Sequence, residues 1–122
     1  MASKINAGFP SPAQDYIEGK LDLNEHLIVH EASTFFVRVE GYSMQGAGIL
    51  PDDILIVDRA LEATHNRIVI AILDGELTVK RLHIEDSQYY LVPENEDYSP
   101  ILIDEDMDFM IWGVVTYVIH KV

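Results

Sequence analysis

Residues 68–82 read IVIAILDGELTVKRL and contain a strong β-hairpin signal. Two runs of aliphatic and β-branched residues flank the dipeptide Asp74-Gly75, which is typical of the two-residue turn of a β-hairpin. The sequence therefore predicts two antiparallel strands, one at 67–73 and one at 76–84. The second strand carries a lysine among aliphatic neighbours, and this lysine is the first candidate for chemistry.

Lys80 lies inside the second predicted strand, where a lysine would normally point to water. Its neighbours Leu77, Val79 and Leu82 are apolar and would disfavour the charged amine by desolvation. A lysine acts as a base near pH 7 only if its pKa falls roughly 2–3 units below the reference value of about 10.4. Alternate residues of a strand share a face, so the hydroxyl of Thr78 is placed to orient the amine.

The segment Gly41-Tyr42-Ser43-Met44 follows a predicted apolar strand, 35–40, and supplies a nucleophile to match this base. A Ser/Lys dyad would use Ser43 as the nucleophile and Lys80 as its general base. A turn or short helix at 44–49 would let the backbone N–H groups of Ser43 and Met44 form an oxyanion hole. The alternative is a turn serine and a surface lysine. The second glycine of a G-x-S-x-G motif is missing, which disfavours an α/β-hydrolase.

The rest of the chain also has a strand-rich pattern. Further strands are predicted at 54–58, 89–92 and 109–120, and a polar loop at 93–100. A single helix is expected within residues 15–33, with Asp22 as its N-cap and His30 sharing a face with the helix leucines. These features predict a mainly β domain with one short helix.

Composition limits the class of protein. The chain has 122 residues, which predicts one domain, and it has no cysteine. The longest uncharged apolar run, 109–119, is too short to span a bilayer, and no signal peptide is recognised, so we expect a cytoplasmic protein without membrane contact. A net charge of −13 disfavours direct DNA binding and favours a basic protein as the partner.

No metal or cofactor is expected. His26 and His30 stand four residues apart, but no third ligand follows at a useful spacing. The acidic run at 104–108 lacks the glycine and distal glutamate of a calcium-binding EF-hand loop, so a solvated turn is the better interpretation.

Residues 1–14 are predicted to form a flexible arm, because Pro10 and Pro12 oppose helix formation. Within it, Ala7-Gly8 joins two small residues in a segment that favours the extended backbone a protease substrate needs. From composition alone an ordinary flexible tail is the better interpretation.

The order of these motifs resembles that of the LexA/UmuD family of self-cleaving serine peptidases. The central resemblance is Gly41-Tyr42-Ser43-Met44 followed, 37 residues later (80 − 43), by Thr78-Val79-Lys80-Arg81-Leu82. Further matching motifs are Gly8-Phe9-Pro10-Ser11-Pro12-Ala13, Asp22-Leu23-Asn24, Asp53-Ile54-Leu55-Ile56-Val57-Asp58, Ile68-Val69-Ile70-Ala71, Asp74-Gly75-Glu76, Tyr98-Ser99-Pro100-Ile101 and Gly113-Val114-Val115. The resemblance is specific because these motifs cover nearly the whole chain in one register.

The resemblance implies a LexA/UmuD C-terminal-like antiparallel β domain at 15–122 that forms a homodimer, preceded by the arm. It implies self-cleavage of the Ala7-Gly8 bond by Ser43 and Lys80, since the family cuts an Ala-Gly or Cys-Gly bond just before Phe-Pro-Ser-Pro. It also implies stimulation by the RecA–single-stranded-DNA filament in the SOS response. The product would then be an accessory subunit of an error-prone, UmuC-like Y-family polymerase in translesion synthesis.

The sequence also allows two other functions. Family members usually carry a longer arm than the Met1–Asn6 that precedes the bond here. This favours a second hypothesis, an arm-depleted binding module that no longer cleaves and acts only through its dimer and polymerase contacts. A signal-peptidase-like enzyme shares the Ser/Lys chemistry, but it requires a membrane anchor for which the sequence offers no candidate.

Overall fold

A computed structural model describes residues 7–8 and 22–122, and a single seven-stranded antiparallel sheet dominates it. The strands are β1 (Thr34–Arg38), β2 (Ile54–Asp58), β3 (Ile68–Leu73), β4 (Glu76–Glu85), β5 (Gln88–Val92), β6 (Ile101–Leu102) and β7 (Phe109–Ile119). The helical elements are α1 (Leu23–Leu27) and two short 3₁₀ helices, Glu31–Ser33 and Gln45–Ala47. This architecture confirms the predicted mainly β fold.

The strands lie in the order β1-β2-β7-β3-β4-β5-β6. The long strand β7 lies in the middle of the sheet, where it pairs with both β2 and β3. Each pairing contains a register shift, which leaves Thr116 and Trp112 of β7 as extra residues. Such bulges increase the local twist and bend the strand.

Tight turns join β3 to β4 and β4 to β5. Asp74 and Gly75 have φ angles of 50° and 84°, the left-handed backbone that a two-residue hairpin turn needs, and the predicted hairpin is confirmed. Asp86 and Ser87 form a second turn of the same kind, with φ angles of 50° and 64°. This second hairpin was not predicted, because Asp-Ser is a weaker turn signal than Asp-Gly.

Two apolar clusters form the core, and strand β3 contributes to both. Ile70 belongs to the first cluster, whereas its neighbours Val69 and Ala71 belong to the second. Because successive side chains of a strand point to opposite faces, the clusters lie on opposite sides of β3. The first cluster also contains Met44, which anchors the turn that carries Ser43.

The helix is shorter than the sequence pattern suggested. The Asp22 carboxylate caps α1 by accepting a hydrogen bond from the N–H of Asn24 at 3.0 Å. The helix ends at Leu27, so the expectation that His30 shares a helical face with the leucines is wrong. His30 instead contacts the buried carboxylate of Asp58, with 2.6 Å between Nδ1 and Oδ2. The predicted arm lies outside the described residues except for Ala7 and Gly8.

Candidate active site

Strand β4 presents Lys80 toward the interior. The side chain is only 9% exposed, which is unusual for a lysine. Burial disfavours the ammonium form and lowers the pKa of Lys80 below the usual value for a lysine. A lysine in this setting loses its proton more readily than a surface lysine, and this is the property that a general base needs.

The turn after β1 presents Ser43. Gly41 adopts a φ of +80°, which starts the turn with a backbone conformation that residues with a side chain rarely adopt. Met44 on the other side of the serine is 1% exposed and packs in the first apolar cluster. The serine is therefore held between a tight backbone turn and a buried anchor, and its own side chain is half-buried.

The structure brings Ser43, Thr78 and Lys80 together. Nζ of Lys80 lies 2.9 Å from Oγ of Ser43, 2.9 Å from Oγ1 of Thr78 and 3.1 Å from the carbonyl oxygen of Val79. A neutral amine has two N–H donors and one lone pair. The threonine hydroxyl and the Val79 carbonyl are acceptors for two N–H donors. In the neutral form of the amine, the remaining lone pair would face the serine hydroxyl, which is the arrangement that a general base requires.

Two backbone N–H groups of the serine turn have no acceptor within the described residues. The 3₁₀ helix Gln45–Ala47 begins immediately after Met44. Within the described residues, the N–H groups of Gln45, Ala47 and Gly48 donate to carbonyls of the same segment, and neither Ser43 nor Met44 donates its N–H to an acceptor. Unpaired N–H groups at this point are what an oxyanion hole requires.

A groove of about 420 Å³ borders the dyad. Apolar side chains of Leu55, Ile70, Leu77 and Val79 contribute to its lining, as do the tyrosines Tyr42 and Tyr98. Ala7 and Gly8 are exposed and are not among the described residues that line the groove.

A segment that the sequence pattern did not indicate, Glu94-Asn95, forms hydrogen bonds with the serine turn. Asn95 donates a side-chain hydrogen bond to the carbonyl oxygen of Tyr42 at 2.8 Å, and the N–H of Glu94 donates to the carbonyl of Ser43 at 2.7 Å. The N–H of Gly46 donates to the carbonyl of Glu94, also at 2.7 Å. These contacts join residues about 50 positions apart, and no periodicity of the sequence indicates them.

Two buried aspartates, one directly before β2 and one at its last position, each contact a histidine. Asp53 accepts hydrogen bonds from the N–H of Leu50 at 2.9 Å and contacts Nδ1 of His120 at 2.6 Å. The bond from Leu50, together with His120, outweighs burial and lowers the pKa of Asp53. For Asp58, burial by itself would raise the pKa, but the hydrogen bonds that it accepts, from His30 first, leave the pKa lowered.

Metal binding has no support among residues 7–8 and 22–122, where no group of three metal-binding side chains converges. His26 lies on α1, whereas His30 lies beyond its end and is engaged by Asp58. None of the helices in the described part of the chain has the length and apolar character needed to cross a lipid bilayer.

The fold and the site together define a class of protein. The sheet is antiparallel, it contains little helix, and a lysine from the central hairpin meets a serine from the turn after β1. This is the antiparallel β architecture of the LexA/UmuD C-terminal domain.

Comparison with known proteins gives the same class. The chain matches the Peptidase S24-like family over residues 1–116. It is 49% identical to protein SamA of Salmonella typhimurium over 115 residues, covering 94% of this chain and 79% of SamA. Protein ImpA of Shigella flexneri is 46% identical over 120 residues, covering 98% of this chain and 81% of ImpA. Protein MucA of Escherichia coli is 45% identical over 115 residues, covering 93% of this chain and 78% of MucA. The chain therefore belongs to the Peptidase S24-like family, as a UmuD-like member.

Proposed function

We propose that this chain is an SOS-response protein that cleaves its own Ala7-Gly8 peptide bond with a Ser43/Lys80 dyad. The observation that carries the proposal is the 2.9 Å contact between Nζ of Lys80 and Oγ of Ser43. Burial of the amine, which lowers its pKa, supports the same chemistry. Membership of a family that includes self-cleaving serine peptidases also supports it.

In the first half of the reaction, neutral Lys80 takes the proton of the Ser43 hydroxyl as Oγ attacks the carbonyl carbon of Ala7. The carbonyl oxygen becomes an oxyanion, which the N–H groups of Ser43 and Met44 stabilise. Protonated Lys80 then gives its proton to the nitrogen of Gly8. The C–N bond breaks, and residues 1–7 remain as an ester on Ser43.

In the second half, water replaces the departed amine. Lys80 takes a proton from this water while the oxygen attacks the ester carbon. The proton then passes to Oγ of Ser43 as the C–O bond of the ester breaks. The products are a peptide ending in the Ala7 carboxylate and a chain beginning at Gly8, and the dyad returns to its starting state.

The substrate bond belongs to the same chain or to a dimer partner, so substrate encounter is not diffusion-limited. In this proposal, residues 1–14 are the flexible arm and 15–122 the peptidase domain. A tethered arm reaches a high effective concentration at the groove. A modest catalyst therefore suffices, and the rate is regulated by how often the arm enters the groove.

The family resemblance supplies the proposed partners. The RecA–single-stranded-DNA filament stimulates cleavage in the cytoplasm, and the shortened homodimer then serves a UmuC-like Y-family polymerase in translesion synthesis. A net charge of −13 supports contact with basic protein surfaces rather than with DNA itself.

The test is the intact mass of the purified protein after alkaline incubation, with and without a RecA filament on single-stranded DNA. We expect the wild type to lose residues 1–7, whereas Ser43→Ala keeps its full mass under every condition. Cleavage at another bond, or equal cleavage in the Ser43→Ala variant, would refute the proposal.

A second candidate function is a binding module that no longer cleaves. The exposure of Ala7 and Gly8, away from the described lining of the groove, favours it. Its test is translesion synthesis with the partner polymerase in cells. Equal function of the wild type and Ser43→Ala, together with an unchanged mass of both proteins, would support the binding module.

A further inference from the structure

Two hydrogen bonds hold backbone carbonyl groups of the turn that carries Ser43. The side-chain nitrogen Nδ2 of Asn95 donates to the carbonyl oxygen of Tyr42 at 2.8 Å. The N–H of the preceding residue, Glu94, donates to the carbonyl oxygen of Ser43 at 2.7 Å. Both acceptors are backbone carbonyls next to the nucleophile.

These carbonyls belong to the same peptide groups as the two N–H groups that the proposed reaction uses. The carbonyl of Tyr42 and the N–H of Ser43 share one peptide unit, and the carbonyl of Ser43 and the N–H of Met44 share the next. A trans peptide unit is planar, and its C=O and N–H point in opposite directions. A hydrogen bond that fixes the carbonyl therefore also fixes the direction of the N–H on the other side.

We propose that Asn95 is a positioning residue, which aims the N–H of Ser43 at the oxyanion by holding the carbonyl of Tyr42 from behind. This inference rests on the proposed self-cleavage. The hydrogen bonds of the Asn95 side chain within the described residues go to Tyr42 and Asp97, not to the Ser43 hydroxyl or Lys80, so we infer that it acts through the turn.

The Asn95 amide is itself fixed in one orientation. Its oxygen Oδ1 accepts a hydrogen bond from the N–H of Asp97 at 2.9 Å, which leaves Nδ2 facing Tyr42. The neighbouring Glu94 is held by Arg81, with 2.5 Å between Nε and Oε1. Arg81 follows Lys80 in β4. The strand that carries the proposed base therefore also holds Glu94, the neighbour of Asn95.

Two substitutions of Asn95 distinguish its proposed role in orienting the N–H of Ser43 from a role in the structure of its own loop. Asn95→Asp keeps the oxygen that accepts from Asp97 but loses the donor to Tyr42. Asn95→Ala loses both bonds. If the donor aims the turn, both variants lower the plateau of the cleavage rate at high pH by about tenfold, the upper range for one hydrogen bond.

The pH profile distinguishes this effect from a change in the base. In Asn95→Ala the midpoint of the profile stays at the wild-type pH, because Lys80 keeps its surroundings. In Asn95→Asp the new carboxylate favours the protonated amine, so the midpoint moves to higher pH. The plateau rate at high pH is read separately from this midpoint. Asn24→Ala is the matched control, since it removes an exposed asparagine side chain on α1 and leaves both quantities unchanged.

A second measurement does not depend on cleavage. In ¹⁵N relaxation experiments at pH 6, the backbone order parameter of Ser43 is expected to fall from about 0.85 toward 0.6 in both Asn95 variants. The strands keep their values. If the wild type shows no cleavage at any pH, with or without RecA filaments, the proposed function fails and the order parameter alone decides the role of Asn95. An unchanged order parameter in both variants, or a wild-type plateau in Asn95→Asp, would overturn the inference.

Discussion

The hydroxyl of Thr78 accepts a hydrogen bond from Nζ of Lys80, which lies two residues further along the same strand, at a distance of 2.9 Å. Strand alternation places both side chains on one face, so the contact requires no special backbone geometry. With the Val79 carbonyl as a second acceptor, at 3.1 Å, this contact would direct the lone pair of a neutral amine toward Ser43. Strand β4 itself therefore orients the amine of the proposed base.

Replacement of this hydroxyl is expected to slow self-cleavage. Thr78→Val keeps the shape and burial of the side chain but removes the acceptor, so we expect the plateau rate to fall about tenfold. Thr78→Ser keeps the hydroxyl and should retain most of the rate. First-order cleavage rates at a common high pH measure both variants, and equal rates for Val and Ser would contradict an orienting role.

The lowered pKa of Lys80 predicts how the rate depends on pH. Only the neutral amine accepts the serine proton, so the rate should rise with pH through the lowered pKa and then level off. Lys80→Arg should abolish cleavage at every pH, because a guanidinium stays protonated. Mass spectrometry of a pH series from 6 to 10 gives the profile, and a flat profile would exclude Lys80 as the base.

Gly46 is expected to tolerate no side chain. A Cβ at this position would lie 2.7 Å from the backbone oxygen of Glu94, so Gly46→Ala must displace the segment that holds the serine turn. We expect a loss of about 1–3 kcal/mol in the free energy of unfolding, together with slower cleavage. Urea unfolding and cleavage rates measure the two effects.

Gly113→Ala is the control for simple overcrowding. Its Cβ would lie 2.5 Å from Cγ1 of Val57, a side-chain contact that does not involve Glu94. It should lose stability by a similar amount but cleave at the wild-type rate under conditions where it remains folded. A parallel loss of cleavage in both alanine variants would argue against a specific role for the close approach of Gly46 and Glu94.

Asp53 is expected to contribute stability that is lost in acid. Its pKa is lowered below 3.8 in the folded protein, first by the N–H of Leu50. The unfolded chain therefore binds a proton more readily, so this stabilisation is fully present above about pH 3.8 and disappears as the pH falls through the folded pKa. Asp53→Asn should unfold about 1–3 kcal/mol more easily at pH 7 and show a shallower acid dependence.

Asp52→Asn provides a matched control for this prediction. The Asp52 side chain is exposed, and its φ of 71° is a backbone conformation that asparagine accepts readily. Urea unfolding curves of both variants at pH 7 and in acid give the comparison. A loss of stability in Asp52→Asn equal to that in Asp53→Asn would show that the burial of Asp53 is irrelevant.

Local chemistry made part of the fold predictable. Asp74-Gly75 specified a hairpin, and alternation along β4 placed Thr78 beside Lys80. Strand β6 was not predicted, because its two residues, Ile101–Leu102, are too few to show a period. The helix was predicted too long, because His30 mimics helical spacing while its partner is the distant Asp58.

In the candidate site, the sequence indicated residues whose side-chain chemistry is unusual for their position. Ser43 and Lys80 are conspicuous in sequence because each is an unusual residue for its place. Glu94 and Asn95 look like ordinary loop residues, and their contacts to the turn arise from tertiary structure. The loop with Asn95 and the turn with Ser43 become adjacent only after the sheet has formed, so no local sequence pattern indicates the hydrogen bonds between them.

The position of β7 in the sheet has a consequence for the order of events during protein synthesis. Ser43 follows β1, which joins the sheet through β2, whereas Lys80 lies on β4, which joins it through β3. Strand β7 lies between these two halves, yet among the described strands it is the last to leave the ribosome. A nascent chain that has not yet exposed residues 109–119 lacks the strand that joins the half with Ser43 to the half with Lys80. Under the proposed reaction, a ribosome-bound chain therefore cannot cut itself until translation has passed the final strand.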